Sequence, residues 1–431
     1  AGTGTAAALL GLFATAGLVV SARQQLPWLA ALIMLGTLVD AAALAIVTIE
    51  PVPFVLLASG LAVATQTLAE PRHRSWMQWP IALMANLLVL ALVARAIGPA
   101  PLAPAGQALV AVATFVVAYV WVIVHPMLAR NRQLGVFDVL QAIPLVLLGL
   151  PGLLAVAQTV SPAVGLVVTL LTLIAGAGCY AIGLGLSADR PHRLPAVHFF
   201  TSAGITVVLV GTTSLLDGIG LTLLFAGLGF VFSWLGARRL QPTFLLHGAV
   251  YVIASAATLG LAGTLTMSWM LPMQAWTGLP PLIWLVAAAA ALGVLGPRLA
   301  AGDFGGYLTI VARTTNAIVF TAIVATWLLL RSGEALSATP APGPVAALRS
   351  AVLALAAVAT AAAGRANRAR AFGRLAYPLL ALGAVKLLIE DFWYSGPVMI
   401  FVALACFGVA LIVTTRLRGR PGLDTSTKTG P

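Results

Sequence analysis

A lysine, a glutamate and an aspartate stand close together near the C-terminus, in Lys386-Leu-Leu-Ile-Glu-Asp-Phe-Trp-Tyr394. Such a trio can form ion pairs, hold a cation or pass a proton. It sits in an apolar run, where charge is costly unless paired or hydrated. Glu390 falls four residues after Lys386, on the same helix face, and is within reach of pairing with it. Asp391 lies one step round the helix. Two readings follow. One is a self-neutralised helix end anchored by Trp393 and Tyr394; the other is a charge pair facing a cavity or a partner. Residue physics alone favours the first.

Three more ionisable residues lie inside apolar runs. Asp40, in Leu35-Gly-Thr-Leu-Val-Asp-Ala, is an ion or proton site facing a cavity, or a carboxylate bonded to a neighbouring helix. Arg313 is followed by Thr314, Thr315 and Asn316, a polar patch of the kind that lines a cavity. Arg349 lies about one turn inside its run, where snorkelling to the interface is expected. Asn86, Gln141 and Gln158 are suited to interhelical hydrogen bonds, each contributing about 1 kcal/mol. The histidines, His73, His125, His192, His198 and His247, have no metal-ligand spacing. No HExxH, CxxC, Walker or GxSxG motif is present. Catalytic residues, metal ligands and cofactors are therefore not expected. The glycines of Ala175–Gly185 sit within an apolar run, where they serve close helix packing and do not open a phosphate loop.

The elements that must position these residues are helices in a membrane. Hydrophobic residues make up 61% of the chain and charged residues only 8%, against about 25% charged in soluble domains. The apolar runs are continuous and rich in Leu and Ala, which excludes alternating strands. The fold class is all-α, a polytopic integral membrane protein with short loops and no soluble domain. Roughly 15 spans are expected, within a range of about 13–17. They lie near 3–20, 27–47, 52–69, 76–96, 105–127, 136–158, 162–186, 196–214, 218–236, 244–265, 279–296, 306–330, 345–364, 374–391 and 397–415. The sixth contains Pro144 and Pro151, so a kink or a re-entrant path is open there. The eleventh is short. Residues 1–420 form one polytopic domain in this reading, and 421–431 a disordered polar tail. Cys179 and Cys406 both fall within spans, so no disulfide framework is implied. Because the chain opens at Ala1 in an apolar run, a trimmed leader or a piece of a longer protein is expected.

Loop charge tests this count. Basic residues follow the odd-numbered runs: Arg23, Arg72 and Arg74, Arg130 and Arg132, Arg190 and Arg193, Arg238 and Arg239, Arg298, Arg365 to Arg374, and Arg416 to Lys428. Loops after even-numbered runs are nearly free of Lys and Arg, with Arg95 and Arg331 at their margins, and hold Glu50, Asp217, Glu334, Glu390 and Asp391 instead. The positive-inside rule then puts the C-terminus in the cytoplasm and Ala1 on the outer side. It also accounts for the net charge of +12 without nucleic acid. Met267–Trp276 reads as an outer loop lying in the headgroup layer, an interfacial anchor or a binding lip. Gly236-Ala-Arg-Arg with Leu245-Leu-His-Gly-Ala-Val echoes Gly364-Arg-Ala-Asn-Arg with Leu379-Leu-Ala-Leu-Gly-Ala-Val.

Val385-Lys-Leu-Leu-Ile-Glu-Asp391, a final apolar helix and an Arg-rich end resemble the closing motif of a bacterial membrane-protein family, domain of unknown function 2339. Trp234-Leu-Gly-Ala-Arg238 is similar to a recurrent helix end of that family, and Leu32–Ala43 to an earlier Leu/Gly-rich helix. Lys386 and Asp391 match its lysine and aspartate. Glu390 stands where a less charged residue is common, and Leu228 where the family has an acid. The usual N-terminal polar segment and first helices are not found. The resemblance implies architecture and no settled activity.

The function expected is that of a transporter or flippase-like protein of the cell envelope, in a bacterial inner membrane. The alternative is a non-catalytic scaffold or accessory subunit. An envelope enzyme on a lipid-linked substrate has only the few outer acids to work with. The partners expected are the lipid bilayer and another membrane subunit.

Overall fold

A computed structural model describes residues 2–24, 26–68, 71–98, 104–129, 135–189, 194–239, 242–295, 303–336, 341–366 and 369–418. The polar tail 421–431 and the loop arginines Arg130, Arg132, Arg190, Arg193, Arg298 and Arg368 lie outside the described residues. Among the described residues every regular element is helical. The chain divides into two compact units, Ala1–Leu216 and Asp217–Pro431.

The first unit holds α1 (Thr3–Gln24), α2 (Pro27–Thr48), α3 (Val52–Leu68), α4 (Pro71–Ile97), α5 (Ala105–Ala129), α6 (Val136–Pro144), α7 (Leu150–Val160), α8 (Pro162–Asp189) and α9 (Leu194–Leu215). The second holds α10 (Gly218–Arg239), α11 (Pro242–Thr258), α12 (Leu261–Met270), α13 (Ile283–Leu295), α14 (Asp303–Gly333), α15 (Pro342–Ala363), α16 (Arg370–Lys386), α17 (Phe392–Tyr394) and α18 (Pro397–Arg418). Among the described residues twelve helical runs are long and apolar enough to cross a bilayer, and α11 with α12 makes a thirteenth if that bent pair is one span. The protein is an all-α, multi-spanning membrane protein. The third and eleventh expected spans are apolar helices of lesser length. α13, with 13 residues, is about 20 Å long at 1.5 Å per residue, short of the roughly 30 Å hydrocarbon layer.

Two departures from regular helix have local causes. Pro144 removes a backbone donor and crowds the turn before it. The chain answers with a π-turn over Leu145–Gly149, which takes up an extra residue without breaking the run. The sixth expected span is thus a single helical run of 25 residues, Val136–Val160. The tenth is the one that breaks. α11 and α12 meet at 64°, and Gly260 at the join has φ +70°, a left-handed conformation that glycine enters without steric cost.

Small residues let neighbouring helices approach. In the α8–α9 hairpin a Cβ on Gly176 would lie 2.8 Å from Val208 Cγ2, and one on Gly183 2.8 Å from Thr201 Cγ2. The glycine-rich run therefore packs helices, as expected. In the α10–α11 hairpin Gly236 faces the backbone of Leu245, and in the α15–α16 hairpin Gly364 faces the backbone of Gly373. The two segments that echo each other in sequence thus form hairpins closed by the same device. Inside the first unit Phe54, Phe115 and Leu92 are fully buried. Asn86 on α4 and Gln141 on α6 exchange two amide hydrogen bonds, Asn86 Nδ2 to Gln141 Oε1 at 3.1 Å and Gln141 Nε2 to Asn86 Oδ1 at 3.2 Å.

Candidate functional site: a buried four-charge network

Lys386 closes α16, and the chain continues as a π-turn over Leu387–Asp391 before α17. In an α-helix five residues turn the chain by about 500°, leaving Asp391 roughly 140° away from Lys386. The wider π-turn, marked by the Phe392 N–H bonding to Leu387 O, brings Asp391 back onto the lysine face. Glu390 stays on that face as well. One lysine therefore meets both acids: Nζ lies 2.8 Å from Asp391 Oδ2 and 3.4 Å from Glu390 Oε2.

α15 supplies the other half. Lys386 Nζ also donates to Ala346 O at 2.7 Å and to Ser350 Oγ at 2.8 Å. Ser350 Oγ in turn donates to Asp391 Oδ2 at 2.8 Å. Beside it Arg349 Nη1 donates to Glu390 Oε1 at 2.5 Å. Its Nε donates to Ser268 O at 3.0 Å, and its Nη2 to Leu271 O. These are carbonyls at the C-terminal end of α12, where unsatisfied acceptors and the helix dipole favour a cation. The guanidinium carbon lies 5.6 Å from the Trp276 ring centroid, within cation–π range. Two cations and two anions thus form a neutral network that ties together α12, α15 and α16.

The network is buried but not saturated. Asp391 is 0% exposed, and its Oδ1 has no hydrogen-bond partner among the described residues. Its other oxygen accepts from two donors. An open acceptor on a buried carboxylate can take a proton or a donor from a ligand. Behind it Phe392, Trp393 and Tyr394 are exposed, in keeping with an interfacial aromatic belt.

Of the residues expected to carry chemistry, the structure joins Lys386, Glu390 and Asp391. Arg313 lies on α14 with its side chain half-buried, and Arg374 Nη1 donates to the neighbouring Thr314 Oγ1 at 3.3 Å. Asp40, in the first unit, is an exposed residue in the body of α2, with no hydrogen bond or ion pair among the described residues. Arg349 departs from expectation. It is buried and paired instead of snorkelling, because Glu390 and the α12 carbonyls offer it three acceptor contacts where lipid offers none. Ser350 is the site residue that sequence reasoning missed, while Arg349 is singled out there but read as snorkelling. A usable signal existed: both lie about two turns in from Pro342, the same depth as Lys386 from the loop at Ser395. Elsewhere, in the first unit, Gln158, Gly165, Thr169 and Ser214 line an open-mouthed cavity of about 310 Å³. Both cysteines are free thiols.

Compared with protein-family models, with curated proteins and with solved structures, the chain finds no match.

Proposed function

We propose that this multi-spanning membrane protein is a transporter- or flippase-like protein that takes up and releases a proton at Asp391. The observation that carries the reading is the open Oδ1 of a fully buried carboxylate held against Lys386. Protonation at Oδ1 removes one negative charge, and Glu390, 3.4 Å from the lysine, remains as counter-ion. The bent α11–α12 pair and the π-turn add support, since broken helices and π-bulges recur where membrane proteins bind and switch. We place the protein in a bacterial inner membrane, with the C-terminus cytoplasmic and Ala1 outside, on the loop-charge alternation. We also propose membership of domain of unknown function 2339. The Lys386–Asp391 contact gives that family's closing motif a physical purpose: its spacing pairs the two residues only across a π-turn.

The test needs no substrate. Proteoliposomes on a solid-supported membrane are given rapid pH jumps. The wild type is expected to give a transient current that Asp391→Asn lacks at equal reconstitution. Identical currents would overturn the proposal. One observation favours a second reading, a non-catalytic scaffold or accessory subunit: the three N–H donors of Lys386 are already taken by Ala346, Ser350 and Asp391. In that case the currents are identical, and the network serves only to hold three helices together.

A further inference from the structure

From Ala335 to Ile389 the chain has no acid, while Arg365, Arg370 and Arg374 fall within ten residues. Arg370 is the first residue of α16 and of the membrane span Arg370–Tyr394. Arg374 lies four residues further, about 6 Å inside the span. Both are exposed, and the stripe they occupy continues through Tyr377, Ala381, Leu382 and Val385, exposed as well. On the opposite side of α16 Phe372, Ala376 and Leu380 are buried. The two arginines thus stand on the face that α16 turns to lipid. Arg374 Nη1 donates to Thr314 Oγ1 of α14 at 3.3 Å. That bond fixes the guanidinium at the seam of two helices, which also meet through Phe320 and Phe372 with ring centroids 5.6 Å apart.

Helix physics opposes this placing. Like charges four residues apart repel on one face, and cations at a helix start oppose its dipole. The positive-inside rule asks for arginine in the loop, where Arg365 stands, and not on a lipid-facing stripe a turn inside the span. An anion between Arg370 and Arg374 offsets both penalties. We infer that this stripe of α16 binds one anionic glycerophospholipid, with its phosphodiester at Arg370 and Arg374 and an acyl chain along Ala381, Leu382 and Val385. The order of polarity along the stripe is that of the lipid: two cations, then a tyrosine suited to the glycerol–ester level, then apolar side chains. Guanidinium forks bind phosphate oxygens in pairs. A zwitterionic headgroup brings its own ammonium, which two guanidiniums repel, so the charge of the site selects a lipid with a net negative head.

The inference is independent of Lys386 and Asp391, and native mass spectrometry of the whole protein tests it. Detergent-solubilised protein is given palmitoyl-oleoyl phosphatidylglycerol or palmitoyl-oleoyl phosphatidylcholine, which share acyl chains and differ in headgroup charge. The wild type is expected to retain the phosphatidylglycerol severalfold more than the phosphatidylcholine. Arg370→Gln/Arg374→Gln is expected to retain the two lipids alike. Arg365→Gln/Arg416→Gln, with the same loss of charge, is expected to keep the wild-type preference. Equal retention of the two lipids by the wild type would overturn the inference, whether or not a variant folds. So would a folded Arg370→Gln/Arg374→Gln protein that keeps the preference. Equal loss in both double variants would overturn it too, since it would mean diffuse attraction to the basic end of the helices and no site on α16.

Discussion

Removing one partner of a buried ion pair and removing both have opposite consequences. Lys386→Met leaves Asp391 buried without its cation, a change that costs about 3–5 kcal/mol. Lys386→Met/Asp391→Leu replaces the pair with apolar volume, and Arg349 with Glu390 remain a neutral pair. The double variant is expected to recover most of the lost stability, measured as the unfolding midpoint in mixed detergent micelles. A double variant no more stable than the single one would show that the pair is not the unit. The sequence made half of this network visible. The four-residue spacing of Lys386 and Glu390 is legible because a regular helix puts them on one face. The Asp391 contact is not, since nothing in a run of Leu and Ile marks where a helix widens to a π-turn. Arg349 was legible as a charge inside a span; whether it snorkels or pairs depends on which helix packs beside it.

Helices are read from apolar runs, and their packing from what stands on each face. Asp40 sits on the exposed side of α2 with Leu29, Leu32 and Val47. An aspartate in the body of a span costs about 2.5–3.5 kcal/mol on insertion scales, whereas leucine is favourable. Asp40→Leu is therefore expected to raise the insertion of α2 by about 3 kcal/mol, read as the glycosylated fraction in a translocon insertion assay. An unchanged fraction would mean that α2 already inserts without penalty. Glycines divide the same way. Gly364 faces the backbone of Gly373, which cannot move aside as a side chain can, whereas a Cβ on Gly36 would meet nothing within 4 Å. Gly364→Ala should destabilise by about 1–3 kcal/mol through overpacking. Gly36→Ala should be neutral or stabilise by up to about 1 kcal/mol through helix propensity. Thermal midpoints of the two variants decide; equal midpoints would contradict the close approach. The positions of the helices were legible because bilayer thickness sets a length that composition must fill. The bend at Gly260 was not, since an isolated glycine in an apolar run serves packing as readily as turning.

Across the molecule, charge at the helix ends sets the expected orientation. A fluorescent protein fused after Pro431 should fold in the cytoplasm and glow, and alkaline phosphatase inserted after Glu334 should be active outside. The reverse pattern would refute the orientation. That expectation rests on loop charges alone, which need no tertiary contact to be read, whereas the order of helix neighbours within each unit required the structure. One contact in the second unit also has an optical consequence. Trp276 faces the Arg349 guanidinium, and its Nε1 donates to Leu271 O at 3.2 Å, a carbonyl that Arg349 also holds. An indole beside a cation emits according to how closely that cation is held. When Glu390 loosens its grip on Arg349, the colour and lifetime of Trp276 emission should change with it. With the other tryptophans replaced, the charge network carries its own fluorophore, and its state can be followed in real time without a label or a known substrate.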